Sequence, residues 1–162
     1  AMQNRNYFEG LKDTKETSAS SHFVVGLDGE IVQCIPTWEV AYASNNRNSD
    51  TISIETCHKT EDGSYTKATY ESLVKLTAWL CKKYGLTEED LIRHYDITGK
   101  NCPKYFVEDE AWHEAADRYV EFLEANKGKK SNLQFTTAQK QRNKKLANRN
   151  TGKSKPALDH IG

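Results

Sequence analysis

Arg93-His94-Tyr95-Asp96-Ile97-Thr98-Gly99-Lys100-Asn101-Cys102-Pro103 places an imidazole, an ammonium and a thiol within nine residues, closed by a proline. A His and a Cys eight positions apart can ligate one Zn²⁺ if the loop between them folds back. Lys100 then sits beside the metal, where negative charge develops during hydrolysis of a carbonyl compound. A second signal stands upstream. Glu55 lies in Thr51-Ile52-Ser53-Ile54-Glu55-Thr56-Cys57, an alternating run that reads as a strand. Together these residues point to a zinc hydrolase with a carboxylate base. Plainer readings stand beside this one. Glu55 can be a strand residue paired with a lysine, Lys100 a loop cation, and His94 with Cys102 an unrelated buried pair.

The elements that must position these groups follow from spacing. Residues 1–11 read as a helix, with Tyr7, Phe8 and Leu11 on one side. Residues 13–20 form a polar loop. His22 to Gly26 reads as a strand, Leu27-Asp28-Gly29-Glu30 as a tight primed turn, and Ile31 to Ile35 as the returning strand ended by Pro36. Trp38 to Ala43 is a short apolar segment, and residues 44–50 form an Asn- and Ser-rich surface loop. His58 to Thr66 is another polar loop. Residues 67–84 give the clearest helix, because Leu73, Leu76, Leu80 and Tyr84 share one face and Gly85 supplies the stop. Thr87 to Asp90 is a capped turn, Leu91 to His94 a short strand, and 94–102 a loop. A last helix runs from Glu108 to about Ala125, with Trp112, Ala115, Ala116, Tyr119, Val120 and Leu123 on its apolar side.

A chain of 162 residues is enough for one domain with a real core. The formal net charge of +0 hides an asymmetry. Residues 1–126 carry 13 Lys and Arg against 22 Asp and Glu, a net −9; residues 127–162 carry 10 against 1, a net +9. The expected organisation is therefore an acidic globular domain over 1–126 and a basic, flexible linker or tail over 127–162. No apolar run approaches the ~18 residues of a membrane span. No charged-then-apolar leader opens the chain. Cys34, Cys57, Cys81 and Cys102 form neither a CxxC pair nor a dense framework, so a disulfide scaffold is not expected.

Ser21-His22-Phe23-Val24-Val25 with its Asp28-Gly29 turn, Ser53-Ile54-Glu55, and His94 with Gly99-Lys100-Asn101-Cys102-Pro103 form a set. That set resembles the zinc-dependent N-acetylmuramoyl-L-alanine amidases, the cell-wall lytic family similar to the peptidoglycan recognition proteins. The resemblance covers about residues 1–125. It implies an α/β fold, a mixed central β-sheet flanked by helices, with zinc at one end of the sheet. It implies hydrolysis of the amide between N-acetylmuramic acid and the first L-alanine of the stem peptide, by an endolysin or autolysin. Peptidoglycan is then the partner, and the cell wall or the extracellular space the place of action. The family's metal ligands are an early His, a late His, and a Cys or Asp soon after it. His94 matches the late His and Cys102 the third ligand. Lys100 matches a lysine two residues before that ligand, and Glu55 the strand carboxylate. Some members carry a tyrosine where this chain has Ser21, so that version of the site is not expected here.

No residue matches the early His, which ends a strand before the first helix. The expectation is a chain that lacks that strand, keeps two of three ligands, and by itself hydrolyses little or nothing. The other histidines are read as structural (His22), loop (His58) or surface and tail residues (His113, His160). Trp38, Tyr42, Asn45 and Asn46 are candidates for bordering a substrate groove, against a reading in which Trp38 is core and the loop a solvated turn. The basic tail reads as a linker to a wall-binding module, or as a contact for anionic wall polymers. Nucleic acid is disfavoured because Phe135 is the tail's single aromatic residue. The rival from another class is a non-catalytic peptidoglycan-binding module.

Overall fold

β-branched residues dominate the strands, and polar turns punctuate them. A computed structural model describes residues 2–4, 6, 7, 10, 19–128 and 157–161. The described residues of the first eleven that carry an assignment are helical. β1 (Phe23–Val25) pairs antiparallel with β2 (Ile31–Gln33), Val24 opposite Val32. β1 also pairs in parallel with β3 (Thr51–Thr56), with Val24 beside Glu55. The turn between β1 and β2 is longer than the two-residue primed turn expected. Gly26 N–H donates to Glu30 O at 2.8 Å, and only Gly29 takes positive φ there, at 79°. A type I′ turn needs positive φ at both central residues. Gly29 is required for a second reason: a Cβ there would lie 2.7 Å from the Ala68 carbonyl oxygen.

The helix α1 (Lys67–Tyr84) is capped by Thr66, whose side chain accepts from Thr69 N–H, and ends at Gly85 in the left-handed conformation. Leu73, Leu76 and Leu80 are fully buried on the predicted face, joined by Val74, Ala78 and Cys81. Two short elements follow. β4 (Leu91–Arg93) runs into α2 (His94–Thr98), which ends on Gly99 at φ 73°. The sequence reads 94–102 as a loop, and the five-residue helix escapes a periodicity test for being shorter than two turns. Its signals were Asp96, whose carboxylate accepts from Arg93 N–H at 2.7 Å, and Gly99 at the end. The last helix, α3 (Asp109–Ala125), lays Trp112, Ala115 and Tyr119 onto α1 and the sheet. Burying these apolar faces against one another is the main stabilising term.

The five strands are ordered β2-β1-β3-β5-β4, and every pair except β1–β2 is parallel. This is the mixed, helix-flanked α/β sheet expected. One expectation fails. β5 (Ala157–Ile161) comes from the segment read as a flexible tail, and it lies inside the sheet between β3 and β4. β5 thus pairs with both β3 and β4, an interior position supplied by the far end of the chain. Backbone donors and acceptors on the facing edges of β3 and β4 need a partner, and β5 supplies it. Five residues in a Lys- and Asn-rich context carry too little pattern to announce a strand. The rest of the predicted tail, from 129 to 156, lies outside the described residues.

Candidate active site

Glu55 stands at the C-terminal end of β3, half-buried. The strand alternates Ile with polar residues, yet nearly all of it is buried. Parallel interior strands are covered on both faces. Its polar side is satisfied internally: Ser53 N–H donates to His22 Nδ1 at 3.0 Å. His22 Nε2 lies 2.9 Å from the Glu39 carbonyl. An Nδ1 that accepts must be unprotonated, so the ring is the neutral Nε2–H tautomer. Burial lowers its pKa, and the Glu39 carbonyl opposes this only in part. His22 is a structural strap between β1 and β3, as read from sequence.

Next to Glu55, the Thr56 hydroxyl donates to the phenol oxygen of Tyr65 at 2.7 Å. The Tyr65 ring packs edge-on against Phe106, with centroids 5.3 Å apart. Phe106 is a core residue four positions after Cys102. Burial drives the Tyr65 pKa well above that of a free phenol. The Thr56 bond opposes the shift, and the negative charges of Cys102 and Glu55 reinforce it.

The 94–102 segment does fold back. Gly99 N–H closes α2 on Tyr95 O at 2.8 Å, Cys102 N–H meets Lys100 O at 2.7 Å, and Tyr95 N–H meets Cys102 O at 2.8 Å. The last bond ties the residue after His94 to Cys102 itself. The Cys102–Pro103 peptide is cis. Both candidate ligands are buried, His94 at 8% and Cys102 at 3% exposure. Among the described residues, the buried His94 Nδ1 has no hydrogen-bond partner. Burial lowers the His94 pKa, and the Lys100 ammonium lowers it further. Neutral imidazole and thiolate are donor types that zinc selects.

Below this loop, Arg93 is a brace. Its guanidinium pairs with Asp96 at 2.7 Å and donates to the carbonyls of Phe106 at 3.0 Å and Val107 at 3.2 Å. It fixes the start of α2 relative to the segment that follows Cys102. Sequence reasoning missed Arg93, Thr56 and Tyr65. Arg93 and Asp96, three apart at a helix start, were a legible pair; nothing in the polar run around Tyr65 marked it.

The backbone folds His94, Lys100 and Cys102 into one loop, and Tyr65 contacts Thr56 at the end of β3 and Phe106 beyond that loop. Glu55 lines a cavity of about 340 Å³ with Asp28, Glu30, Asn4 and His58. Among the described residues, no three His, Cys, Asp or Glu side chains group as a metal cage. His160, on β5, takes the register position of Ile54 and Arg93, one residue short of Glu55 and of His94. Asn45 and Asn46 are exposed in a short 3-10 turn that lies against α2, with Asn45 at φ 52°. Tyr42 is exposed at 58%. Trp38 is half-buried and outside the core cluster, so its reading as core is not supported.

The family profile of the N-acetylmuramoyl-L-alanine amidases matches residues 1–105, and the chain belongs to that family. A probable N-acetylmuramoyl-L-alanine amidase of Bacillus licheniformis is 33% identical over 135 residues, covering 76% of this chain and 38% of the relative. The amidase CwlL of the same organism is 34% identical over 140 residues, covering 78% and 38%. The amidase BlyA of Bacillus subtilis (strain 168) is 31% identical over 159 residues, covering 85% and 40%. The chain thus spans about two fifths of the length of these relatives. No solved structure matches it at a significant level. Among the described residues, no helix is long and apolar enough to cross a membrane.

Proposed function

We propose that this chain is a peptidoglycan-hydrolysing domain that cleaves the amide between N-acetylmuramic acid and the L-alanine of the stem peptide. Its relatives carry that activity in their names. The observation that carries the reading is the buried Nδ1 of His94, without a hydrogen-bond partner among the described residues, in a loop whose backbone folds back to the buried Cys102. A buried polar atom left without a partner costs roughly 1–3 kcal/mol, and a metal ion is one way to remove that cost. His94 and Cys102 fit zinc by donor type and would hold it. The bound ion would supply Lewis-acid polarisation of the scissile carbonyl and a more acidic water.

The remaining work falls to this chain's own side chains. Glu55 takes the proton of the attacking water and returns it to the departing alanine nitrogen. Lys100, an ammonium near His94, stabilises the oxyanion that develops on the carbonyl. Asn45 and Asn46, on the turn against α2, offer hydrogen bonds to sugar and peptide amides, and Trp38 and Tyr42 border the same groove. The net positive charge of 127–162 attracts anionic wall polymers, and the place of action is the cell wall.

The test is digestion of purified muropeptides with added zinc, read by mass spectrometry. Release of free stem peptide by the wild type, lost in Glu55→Gln, supports the reading. Intact muropeptide at every zinc concentration contradicts it and leaves the inactivity that two of three ligands imply. One observation favours a second reading, a non-catalytic peptidoglycan-binding module: the described residues offer two ligands and no third beside them. Binding of muropeptide by metal-free protein, without cleavage, selects that reading.

A further inference from the structure

The turn that leads into β3 is locked from within. Thr51, the first residue of β3, donates its hydroxyl hydrogen to the Arg47 carbonyl at 2.8 Å. Its oxygen therefore accepts from the Ser44 hydroxyl, 2.7 Å away. With that hydrogen spent, Asn48 Oδ1 serves the backbone: it accepts from Ala43 N–H at 3.0 Å and from Ser44 N–H at 2.7 Å. The Ser44 hydroxyl oxygen lies farther from it, at 3.4 Å. Ser44 and Thr51 are both buried, so the lock is shielded from water.

The lock holds Asn45 in a sparsely populated conformation. Among the described residues it is the one non-glycine with positive φ, at 52°. Such a conformation persists where its surroundings over-determine it, and it recurs at ligand-binding sites. Asn45 and Asn46 are both exposed, and neither side-chain amide takes part in the lock. The turn lies against α2, the helix that begins at His94. It is anchored at the opposite end of β3 from Glu55. Thr51 stands four residues before Glu55, on the order of 13 Å along the strand. A ligand that meets both ends of β3 is an extended chain of about four residues.

Resting on the peptidoglycan reading above, we propose that Asn48 is a positioning residue for the distal part of the stem peptide. Its Oδ1 holds the turn so that the Asn45 amide, a donor and an acceptor side by side, meets a peptide group remote from the bond that is cleaved. This contact belongs to the bound state, whether or not cleavage follows, so it serves a hydrolase and a binding module alike.

The experiment is calorimetric titration of the full chain with muramyl tetrapeptide and with muramyl dipeptide, beside urea unfolding. Asn45→Gly keeps the positive φ and removes the side chain. We expect it to weaken tetrapeptide binding about fivefold, the loss of one hydrogen bond, with dipeptide binding and the urea midpoint unchanged. Asn48→Ala should weaken tetrapeptide binding at least as much, and Asn48→Asp, which keeps the acceptor, should bind within about twofold of wild type. Asn45→Gly and Asn48→Asp decide the matter if Asn48→Ala does not fold. A tetrapeptide affinity of Asn45→Gly within about twofold of wild type overturns the proposal, as do equal losses for the dipeptide, or Asn48→Asp binding as weakly as Asn48→Ala. So does a lowered urea midpoint in Asn48→Ala with unchanged affinity, the mark of a purely structural asparagine. Failure of the peptidoglycan reading looks different: the wild-type chain then binds neither ligand, and the proposal falls with it.

Discussion

Acidification should loosen this fold through one residue. His22 is buried at 1% exposure, with Nδ1 accepting from Ser53 N–H and Nε2 donating to the Glu39 carbonyl. Protonation of Nδ1 removes the acceptor that the Ser53 N–H needs. Burial holds the folded pKa below its ordinary value. The unfolded chain, at about 6.5, therefore takes up its proton first as pH falls. Stability from this group is complete above that value and is lost as pH falls toward the folded pKa. Each pH unit in that window costs at most about 1.4 kcal/mol. If the folded ring stays neutral throughout, the loss between pH ~7 and ~5 is about 2 kcal/mol. Urea unfolding at a series of pH values measures it. The slope should be clearly smaller in His22→Asn, whatever that variant's absolute stability. The imidazole C2 proton of folded wild-type protein should show no titration near pH ~6.5 by NMR. Equal slopes in the two proteins, or a His22 resonance that titrates at the ordinary value, refutes the reasoning.

Gly29→Ala should cost more than about 1 kcal/mol in urea unfolding, since φ is 79° and the new Cβ meets the Ala68 carbonyl at 2.7 Å; an unchanged midpoint contradicts the packing of α1 on that turn. Arg93→Ala should cost roughly 3 kcal/mol, because it strips Asp96 of its partner and the Phe106 and Val107 carbonyls of their donor; urea midpoints at constant m-value check this. Truncation before Ala157 removes an interior strand and should shift the urea midpoint downward, with exposed β3 and β4 edges promoting self-association visible by light scattering. A truncated chain as stable and as monodisperse as the full one contradicts the placement of β5.

Much of the fold was legible where a periodic face meets a strong stop. α1 announced itself by Leu73, Leu76, Leu80 and Gly85, and α3 by Trp112, Ala115 and Tyr119. The β1–β3 pairing was not legible, because nothing local to Phe23 refers to Ile54. Burial of Ser53 and Thr56 on β3 ran against the alternation, and it is understood only once His22 and Tyr65 receive their hydrogen bonds. β5 and α2 were missed for the same physical reason: five residues hold no periodic signal, and long-range pairing or one capping contact decides their state. At the candidate site, the His94–Cys102 fold-back was legible as the condition for one metal to take both residues. Tyr65 was not, since its role depends on a hydroxyl contact across nine residues and a ring contact across forty-one.

The central claim is that the nitrogen at His94 and the sulfur at Cys102 bind one metal ion. Cobalt substitution tests it most directly, because a thiolate bound to Co²⁺ gives an ultraviolet charge-transfer band that other ligands do not. The account predicts that band at one cobalt per chain in the wild type, absent in Cys102→Ser and strongly weakened in His94→Ala. A band of wild-type intensity in either variant, or no band in the wild type at excess cobalt, contradicts it.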